Sequence, residues 1–381
     1  MKVTLNKTRV ADAIRRCASV ANAGKMGAIS GKIRVVATLD SVEFAATDGA
    51  RLLKIAPPDA LANLVVEPGE TLVPCRELLG VLSTSVDSDL TIAREDGRLV
   101  VSSGSATYRL QAPDAPFPQP LKRQTLKTFE LSGAELAVAA KIARSAVDCD
   151  RGRGYALAGA ALDACAAEVV LVGTDGRKLA AYRFGAPTNF SATDGAADVA
   201  VIPEATLGTV AKAFADAPTV RVEIADDGYS TFASETTTLN SVAVEGKYPN
   251  WRAIVPQKTG RPRVDFASET LAATVRAAAC VADAKRPSVW LRLADGKLTA
   301  ETTGAEIGAS RITQAVEYRG EPFEVEFDSR FLLGFFGVLP SATTLTYWHG
   351  GDRIALFETG DEKISFVCLP LQPPQNKEKR R

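Results

Sequence analysis

The feature that most constrains the fold of this chain is a pattern that returns about every 128 residues. Its clearest part is a turn at residues 46–52, which returns at 173–179 and, in a degenerate form, at 301–307. Asp48 and Asp175, in the first two copies, are 127 positions apart. Asp-Gly is typical of a tight turn, because glycine adopts positive φ without steric cost. A period this long indicates repeated domains rather than a solenoid.

Each copy of the pattern also predicts two amphipathic helices among short strands. A short strand leads into a helix at the start of each copy, and a second strand leads into a helix further on, as at 72–79 and 201–207. Alternating runs such as 219–224 predict strands with one buried face. The predicted helices are 6–20, 74–86, 132–147, 203–215, 267–282 and 328–338.

Two segments rich in proline and charge, 118–123 and 256–263, separate the copies. We therefore predict an α+β fold of three repeated domains, each with two helices packed on antiparallel sheets. The predicted domains are 1–122, 128–255 and 263–372, and the polar segment 373–381 is expected to be a disordered tail.

The charge balance, the single histidine and the absence of a phosphate-binding loop limit the functions that this sequence can have. The 45 basic and 45 acidic residues cancel, so a DNA-binding role would require the two signs to be segregated on different surfaces. His349 is the only histidine, and we expect it to be a solvated residue of a hairpin turn at 347–352. We therefore expect no histidine-based triad, no metal site and no cofactor. The sequence contains no phosphate-binding loop, which argues against ATP hydrolysis.

The six cysteines are scattered and none forms a C-x-x-C pair. In a chain of this length, that distribution predicts buried free thiols in a reducing cytosol. No apolar run approaches the ~18 residues of a membrane helix, and the first residues show no secretion signal. We expect a cytoplasmic protein without membrane contact.

Three local motifs stand in a characteristic order along the chain. They are Thr-Asp-Gly-Arg-Lys-Leu-Ala at 174–180, Gly-Lys-Tyr-Pro-Asn-Trp-Arg-Ala-Ile-Val-Pro at 246–256, and Ser-Phe-Val-Cys-Leu-Pro-Leu at 365–371. With the threefold repeat, they resemble the bacterial sliding clamps, the beta subunits of DNA polymerase III, from residue 1 to about 371. The motifs look like the clamp's second-domain turn, its link to the third domain and its closing strand.

The resemblance implies a DNA-clamp fold and a head-to-tail dimer, in which six domains close into a ring with helices lining the hole. It implies a non-catalytic processivity subunit that encircles duplex DNA without regard to sequence. Such a ring tethers the polymerase catalytic subunit and raises its effective concentration at the primer end. The clamp loader and repair proteins would bind through short linear peptides, and the protein would be associated with the nucleoid.

The predicted helices carry ten basic and six acidic residues, a net charge of +4. A modestly positive lining attracts phosphates without reading bases, which suits a ring that slides. By the resemblance, Lys25 matches a loop residue that touches DNA, and Tyr155 matches an aromatic near the hole. For any single helix, an ordinary solvated face is the simpler interpretation. The residues expected to face DNA are Lys7, Arg9, Arg15, Lys25, Arg76, Lys141, Arg144, Arg151, Arg153, Tyr155, Lys212 and Arg276.

The resemblance also implies a groove between the second and third domains that receives a partner peptide with apolar and aromatic anchors. Without the resemblance, core and turn roles are the simpler interpretation of these residues. Arg177, Lys178, Ala253 and Cys368 depart from the residues usual in the family. The expected groove residues are Leu157, Thr174, Gly176, Arg177, Lys178, Leu179, Pro249, Ala253, Ile254, Thr344, Val367, Cys368, Leu369, Pro370 and Leu371.

Two other functions stay open at the level of the sequence. A clamp-like accessory paralogue, serving a repair or other non-replicative polymerase, would show the same repeats, and the departures in the groove are compatible with it. An enzyme that uses a carboxylate pair would need acid clusters such as those at 148–150 and 226–227, which both lie in turn-like stretches.

Overall fold

The computed structural model describes residues 1–21, 27–60, 67–84, 87–95, 97–111, 115–120, 122–148, 155–193, 199–304, 308–350 and 354–371. The chain divides into two compact units. Unit 1 contains Met1–Ala137 and Thr188–Ala243, and unit 2 contains Val138–Pro187 and Val244–Arg381.

One order of elements runs through the chain three times. It consists of a strand, a helix, four strands, a second helix and three strands, and the second copy has one additional strand, β13. The helices are α1 (Lys7–Ala21), α2 (Cys75–Thr84), α3 (Gly133–Arg144), α4 (Glu204–Ala213), α5 (Ser268–Ala279) and α6 (Ser329–Phe336). Short 3-10 helices cover Gly27–Ile29, Tyr155–Ala158 and Trp251–Ala253.

The strands of the first copy are β1 (Lys2–Asn6), β2 (Lys32–Ala37), β3 (Val42–Thr47), β4 (Arg51–Ile55), β5 (Gly69–Pro74), β6 (Asp89–Glu95), β7 (Arg98–Ser103) and β8 (Ala106–Gln111). Those of the second copy are β9 (Thr125–Leu131), β10 (Gly159–Ala164), β11 (Val169–Thr174), β12 (Lys178–Gly185), β13 (Thr188–Ala192), β14 (Val199–Pro203), β15 (Val220–Ala225), β16 (Ser230–Ala233) and β17 (Thr237–Ser241). Those of the third copy are β18 (Arg263–Ala267), β19 (Ser288–Ala294), β20 (Lys297–Gly304), β21 (Gly308–Ala315), β22 (Phe323–Asp328), β23 (Thr344–Trp348), β24 (Ala355–Thr359) and β25 (Ile364–Cys368). The predicted α+β class is confirmed.

All six described helices begin one residue after the predicted start. Five of the six helices follow directly on a strand whose last residue occupies the predicted start, and α3 follows β9 after the single residue Ser132. Pro203 has φ −57° and ψ 147°, and Ala267 has φ −68° and ψ 123°, and neither caps its helix with a side chain. Asp328, by contrast, caps α6 with its side chain, since its carboxylate accepts a hydrogen bond from the Arg330 backbone N–H.

Unit 1 contains two antiparallel sheets. Nine strands follow the order β13-β9-β15-β16-β17-β4-β3-β2-β5, and four follow the order β1-β6-β7-β8. The pairing of β17 with β4 joins the first two copies of the pattern, with Thr237 opposite Ile55 and Ser241 opposite Arg51. Arg51 is buried, and its Nη1 donates a hydrogen bond of 2.8 Å to Thr209 Oγ1 of α4. Helix α1 packs against β3, β4 and α2.

Unit 2 contains a sheet with the strand order β10-β11-β12-β25-β24-β23-β18 and a four-stranded sheet with the order β21-β20-β19-β22. The pairing of β12 with β25 joins the second and third copies, with Leu179 opposite Val367. Helices α5 and α6 pack together. The ring of Phe335 in α6 stacks on Phe366 with the centroids 4.3 Å apart, so α6 covers one face of the larger sheet.

The prediction that His349 is solvated was wrong. Its side chain is buried, and its ring stacks on Phe323 at a centroid distance of 4.1 Å. The Tyr318 hydroxyl donates to the Glu321 carbonyl and lies 3.2 Å from His349 Nε2, so the imidazole nitrogen must donate to the hydroxyl oxygen. Burial, together with the nearby charge of Arg261, lowers the pKa of His349. The aromatic surroundings, which a turn pattern does not predict, explain the burial.

The cysteines follow the prediction only in part. Cys17, Cys75 and Cys368 are buried free thiols, but Cys165 and Cys280 are exposed. Cys165 follows the end of β10 and Cys280 follows the end of α5, where the chain turns at the surface. Cys149 lies outside the described residues. Within the described part of the chain, no helix is long and apolar enough to span a membrane.

Candidate functional site

The turn between β11 and β12 is fixed by its own side chains. The Thr174 hydroxyl donates to the Lys178 carbonyl at 2.7 Å and accepts from the Gly176 N–H at 3.1 Å. One oxygen of Asp175 accepts from the backbone N–H groups of Arg177 and Lys178, at 2.8 and 2.9 Å. Gly176 has φ +82°, which glycine adopts without strain. The turn therefore holds two adjacent cationic side chains in a defined position.

The first copy of the pattern makes the same turn in unit 1. The Thr47 hydroxyl donates to the Arg51 carbonyl at 2.6 Å and accepts from the Gly49 N–H at 3.0 Å. Asp48 accepts from the backbone of Ala50 and Arg51, at 3.1 and 2.8 Å. The sequence repeat is therefore also a repeat of hydrogen-bond geometry.

An aromatic residue that the sequence analysis did not select faces the cations of the turn between β11 and β12. The ring centroid of Phe331, on α6, lies 4.8 Å from the guanidinium carbon of Arg177 and 5.1 Å from Lys178 Nζ. The buried stripe of α6 is formed by other residues, including Leu332 and Phe335. The signal in the sequence that could have identified Phe331 was a large aromatic residue outside the apolar stripe of its helix.

A segment that we call the link, residues 248–259, crosses the face of the larger unit 2 sheet opposite to α6. The Tyr248 hydroxyl donates to the Val172 carbonyl at 2.9 Å, and Trp251 Nε1 donates to Asp163 at 3.2 Å. Strand register assigns the side chains of this face, which we call the link face. They are those of Asp163, Val170, Val172, Thr174, Leu179, Ala181, Arg183, Leu356, Glu358, Ser365 and Val367.

Apolar residues of the expected groove lie on the link face and on the link. Leu179 and Val367 are opposite each other on β12 and β25, and each is 1% exposed. Ile254, on the link, is 40% exposed, which is unusual for a large aliphatic side chain. The Leu369 N–H donates to the Arg177 carbonyl at 2.9 Å, so the chain after β25 runs beside the turn. The turn and the end of β25 are therefore adjacent, and the link crosses the sheet face that carries Leu179 and Val367.

The expected groove residues differ in exposure. Buried are Thr174, Leu179, Val367 and Cys368; half-buried are Leu157, Lys178, Leu369, Pro370 and Leu371; exposed are Gly176, Arg177, Pro249, Ala253, Ile254 and Thr344. Burial raises the pKa of the Cys368 thiol, so this residue is a neutral, apolar neighbour of the groove rather than a reactive thiol.

Thr344 lies apart from the other expected groove residues. It begins β23, which is two strands away from β25 in the sheet. Trp348, at the other end of β23, is level with Leu356, which is in turn level with Val367. Thr344 therefore lies toward the opposite end of the sheet from the turn.

Most of the described basic residues expected to face DNA are exposed, and several have no acidic partner. Within the described ranges, no carboxylate pairs with Arg15, Arg76, Lys141, Lys212 or Arg276. Two exposed arginines on strands do form ion pairs: Arg221 pairs with Glu223 at 3.3 Å, and Arg311 pairs with Glu301 at 2.8 Å. These helices therefore carry positive charge that is not neutralised locally.

The other residues expected to contact DNA differ in their pairing and burial, and some lie outside the described residues. Arg9 forms an ion pair of 3.8 Å with Asp59, and Arg144 lies three residues after Lys141 on the same side of α3. Lys7 is half-buried at the start of α1. Lys25, Arg151, Arg153 and the side chain of Tyr155 lie outside the described residues.

Each of the four sheets has an edge strand at either end, and β8 and β21 are two of these edge strands. β8 is the last strand of its sheet in unit 1, and Tyr108 on it is 38% exposed. β21 is the last strand of the four-stranded sheet in unit 2, and its side chains alternate between exposed and half-buried. An edge strand presents backbone N–H and C=O groups that can pair with another chain.

The acid clusters considered as possible catalytic groups form turns where they are described. Asp226 accepts from the Asp227 N–H at 2.9 Å, and Asp227 accepts from the Tyr229 N–H at 3.0 Å. Asp227 also pairs with Arg123 at 2.9 Å. Among the described residues, no group of histidine, cysteine and acidic side chains could hold a metal ion.

Solved structures similar to this chain identify the architecture. The DNA polymerase III subunit beta of Pseudomonas aeruginosa matches with a TM-score of 0.83 and 20% identity, over 98% of this chain and 100% of that one. The chain has the sliding-clamp fold. A sliding clamp of Bartonella birtlesii, solved with griselimycin bound, matches with a TM-score of 0.86 and 21% identity, over 98% and 100% of the two chains.

The sequence comparison agrees with the clamp fold. No family model matches the chain. The beta sliding clamp of Caulobacter vibrioides is 23% identical over 383 residues, which cover 98% of this chain and 100% of the relative. That of Pseudomonas putida is 24% identical over 309 residues, covering 80% and 83%. The resemblance found in the three sequence motifs is confirmed over nearly the whole chain.

Proposed function

We propose that this protein is a sliding clamp that encircles duplex DNA and tethers the replicative DNA polymerase. The observation that carries the proposal is the agreement with beta sliding clamps along 98% of the chain, in fold and in sequence. The names of those relatives favour the replicative role over that of an accessory paralogue. The proposed activity requires this chain to make or break no bond, and a protein acting on the chromosome would be associated with the nucleoid.

Two of the edge strands, β8 in unit 1 and β21 in unit 2, are compatible with a head-to-tail dimer. β8 of one copy can pair with β21 of a second copy, because both are edge strands with unpaired backbone groups. An interface between two different surfaces closes into a ring when the rotation between copies allows it. With three domains per chain, at 1–122, 128–255 and 263–372, two copies would give six domains around one hole.

The unpaired cations on the helices support a DNA-facing lining. Arg15, Arg76, Lys141, Lys212 and Arg276 carry charge that no described carboxylate neutralises. Long cationic side chains attract phosphates without reading bases, which is the interaction that a sliding ring needs. Lys7, Arg9, Lys25, Arg144, Arg151, Arg153 and Tyr155 are proposed to contribute to the same surface.

The sheet face that carries Leu179 and Val367, with the link that crosses it and the adjacent turn, is the proposed groove for partner peptides. A buried apolar floor at Leu179 and Val367 and an exposed Ile254 suit a peptide with aliphatic anchors, and Phe331, beside the turn on the α6 side of the sheet, adds an aromatic surface near the end of the groove. The Bartonella birtlesii clamp was solved with griselimycin bound, which supports ligand binding by clamps of this fold. The polymerase catalytic subunit, the clamp loader and repair proteins are the proposed partners.

Primer extension tests the proposed function. A primed single-stranded circle is extended by the replicative polymerase and clamp loader of the source organism, with and without this protein. We expect long products only with the protein, and short products with the variant Leu369→Asp, which places a charge in the half-buried rim of the groove. Product lengths that do not depend on the protein would contradict the proposal.

A further inference from the structure

A second pocket lies along the link, beside the proposed peptide groove. It has a volume of about 420 Å³, within the range of ordinary ligand pockets. Its lining is charged, unlike the apolar floor of the groove. The lining residues used below are Glu168, Arg183, Arg252, Lys258, Glu358 and Glu362.

Two of the three cations in this pocket are already paired. Arg252 binds the carboxylate of Asp163 and that of Glu168, the latter at 3.2 Å. Lys258 Nζ lies 2.7 Å from Glu358 and 2.9 Å from Glu362. The hydrogen bond and charge of Lys258, with a smaller contribution from the charge of Arg183, lower the pKa of Glu362, so this carboxyl is ionised and shares the one ammonium group with Glu358.

Arg183 is the third cation, and it forms no direct ion pair with a described carboxylate, although its charge contributes to the lowered pKa of Glu362. Its Nη1 donates to the neutral hydroxyl of Ser365 at 2.7 Å, and no described carboxylate forms an ion pair with it. Ser365 Oγ in turn lies 3.1 Å from Glu358, which forms its direct ion pair with Lys258 rather than with Arg183. The guanidinium group of Arg183 therefore keeps several N–H donors for an anion, in the planar arrangement that fits a carboxylate.

The pocket and the groove lie on the same face of the same sheet. Leu179, Ala181 and Arg183 alternate along β12, so their side chains all point to the link face. Leu179 and Arg183 are four residues apart, which corresponds to about 13 Å along a strand. On the link, Ala253 and Ile254 belong to the groove, while Arg252 and Val255 line the pocket. The two sites are therefore continuous.

We propose that the pocket is an acidic subsite of the peptide groove, in which Arg183 binds a carboxylate that lies about four residues from the apolar anchors of the partner peptide. An extended peptide spans this distance with about four residues. The carboxylate is an Asp or Glu side chain, or a terminal carboxylate where the anchors stand near the end of the partner. The subsite rests on the proposed peptide-binding function and adds a charge requirement to it.

A peptide-by-protein mutant cycle tests the subsite. The probes are synthetic peptides with the same aliphatic and aromatic anchors and a glutamate, or a glutamine in its place, four residues before or four residues after the anchors. Affinities are measured by calorimetry with the full-length protein and with Arg183→Gln. We expect one glutamate peptide to bind the unmodified protein about fivefold more tightly than its glutamine counterpart. In Arg183→Gln, that difference should disappear while the glutamine peptide keeps its affinity.

Two control variants separate a local role of Arg183 from a structural one. Arg183→Lys retains the positive charge and should retain part of the preference for glutamate. Arg221→Gln removes a strand arginine of unit 1, 57% exposed and paired with Glu223, and should leave the preference unchanged.

The possible outcomes are distinct. Equal binding of the glutamate and glutamine peptides to the unmodified protein would overturn the subsite and leave the groove intact. A glutamate preference that persists in Arg183→Gln would overturn the role of Arg183. Binding of neither peptide to the unmodified protein would overturn the peptide groove, and the subsite with it.

Discussion

The ring centroid of Phe331 lies 4.8 Å from the guanidinium carbon of Arg177. The two residues come from different copies of the repeated pattern, one on α6 and the other in the turn before β12. Both are accessible at least in part, and both stand next to residues of the proposed groove. An aromatic ring in contact with two cationic side chains is a rigid surface beside which a partner side chain can pack.

Replacing Phe331 by alanine should weaken the binding of an anchor peptide about tenfold, because the variant removes this surface. Calorimetry measures the affinity, and thermal unfolding checks that the fold persists. Phe117→Ala is the matched control, since Phe117 also lies beside an arginine, with Arg34 at 5.7 Å, but in unit 1. Equal losses in both variants would contradict a specific role of Phe331.

The repeated turn offers a pair of equivalent variants. Thr174→Val and Thr47→Val each remove a hydroxyl that bridges a carbonyl and a glycine N–H within its turn. Each should lower the free energy of unfolding by about 1–3 kcal/mol, because buried polar groups lose their partner. Denaturant titration measures the loss. Only Thr174→Val should also weaken peptide binding, and an equal effect of Thr47→Val on binding would show that the turn acts only through stability.

The unpaired cations predict a salt-dependent attraction to DNA. The double variant Arg76→Gln/Arg276→Gln should reduce the slope of log affinity against log salt by about four, because the dimeric ring carries two copies of each residue and each copy would neutralise one phosphate. A short linear duplex, which can thread a closed ring, is the probe in fluorescence anisotropy. Arg221→Gln/Arg311→Gln removes the same charge from strands where both arginines are paired with acids. A similar change of slope in this control would contradict a DNA-facing role specific to the helices.

His349 predicts how stability depends on pH. Burial, and then the charge of Arg261, lower its pKa in the folded protein, so the unfolded chain binds more protons as the pH falls below the ordinary value of about 6.5. The stabilising contribution of the neutral imidazole is complete above that pH and is lost between it and the lower folded pKa. Denaturant titrations at pH 7 and pH 5 should show a smaller loss of stability in His349→Gln than in the unmodified protein. Equal losses would show that His349 does not govern this dependence.

The sequence predicted the fold more completely than the site. Helix positions followed from apolar spacing, and Asp48 and Asp175 marked the repeat, because local patterns determine local structure. The burial of His349 could not be predicted, since it depends on Phe323 and Tyr318, which lie about thirty residues earlier in the chain. Phe331 was missed for the same reason, because its contact with Arg177 exists only once β12 and α6 are folded together.

The departures at the groove also become interpretable once the structure is known. Lys178 donates from Nζ to the Ser145 carbonyl at 2.6 Å while lying over Phe331, so it is anchored at the end of α3. Cys368 is fully buried and acts as a small apolar residue. Thr344 illustrates the limit of assignment by motif position, since strand register separates it from the turn and from β25.

The central claim is that two copies of this chain close into a ring, and imaging of single purified particles by electron microscopy tests it most directly. The account predicts particles of twice the 40.3 kDa chain mass, with twofold symmetry and a central hole wide enough for duplex DNA. Monomeric particles at micromolar concentration, or dimers without a hole, would contradict it.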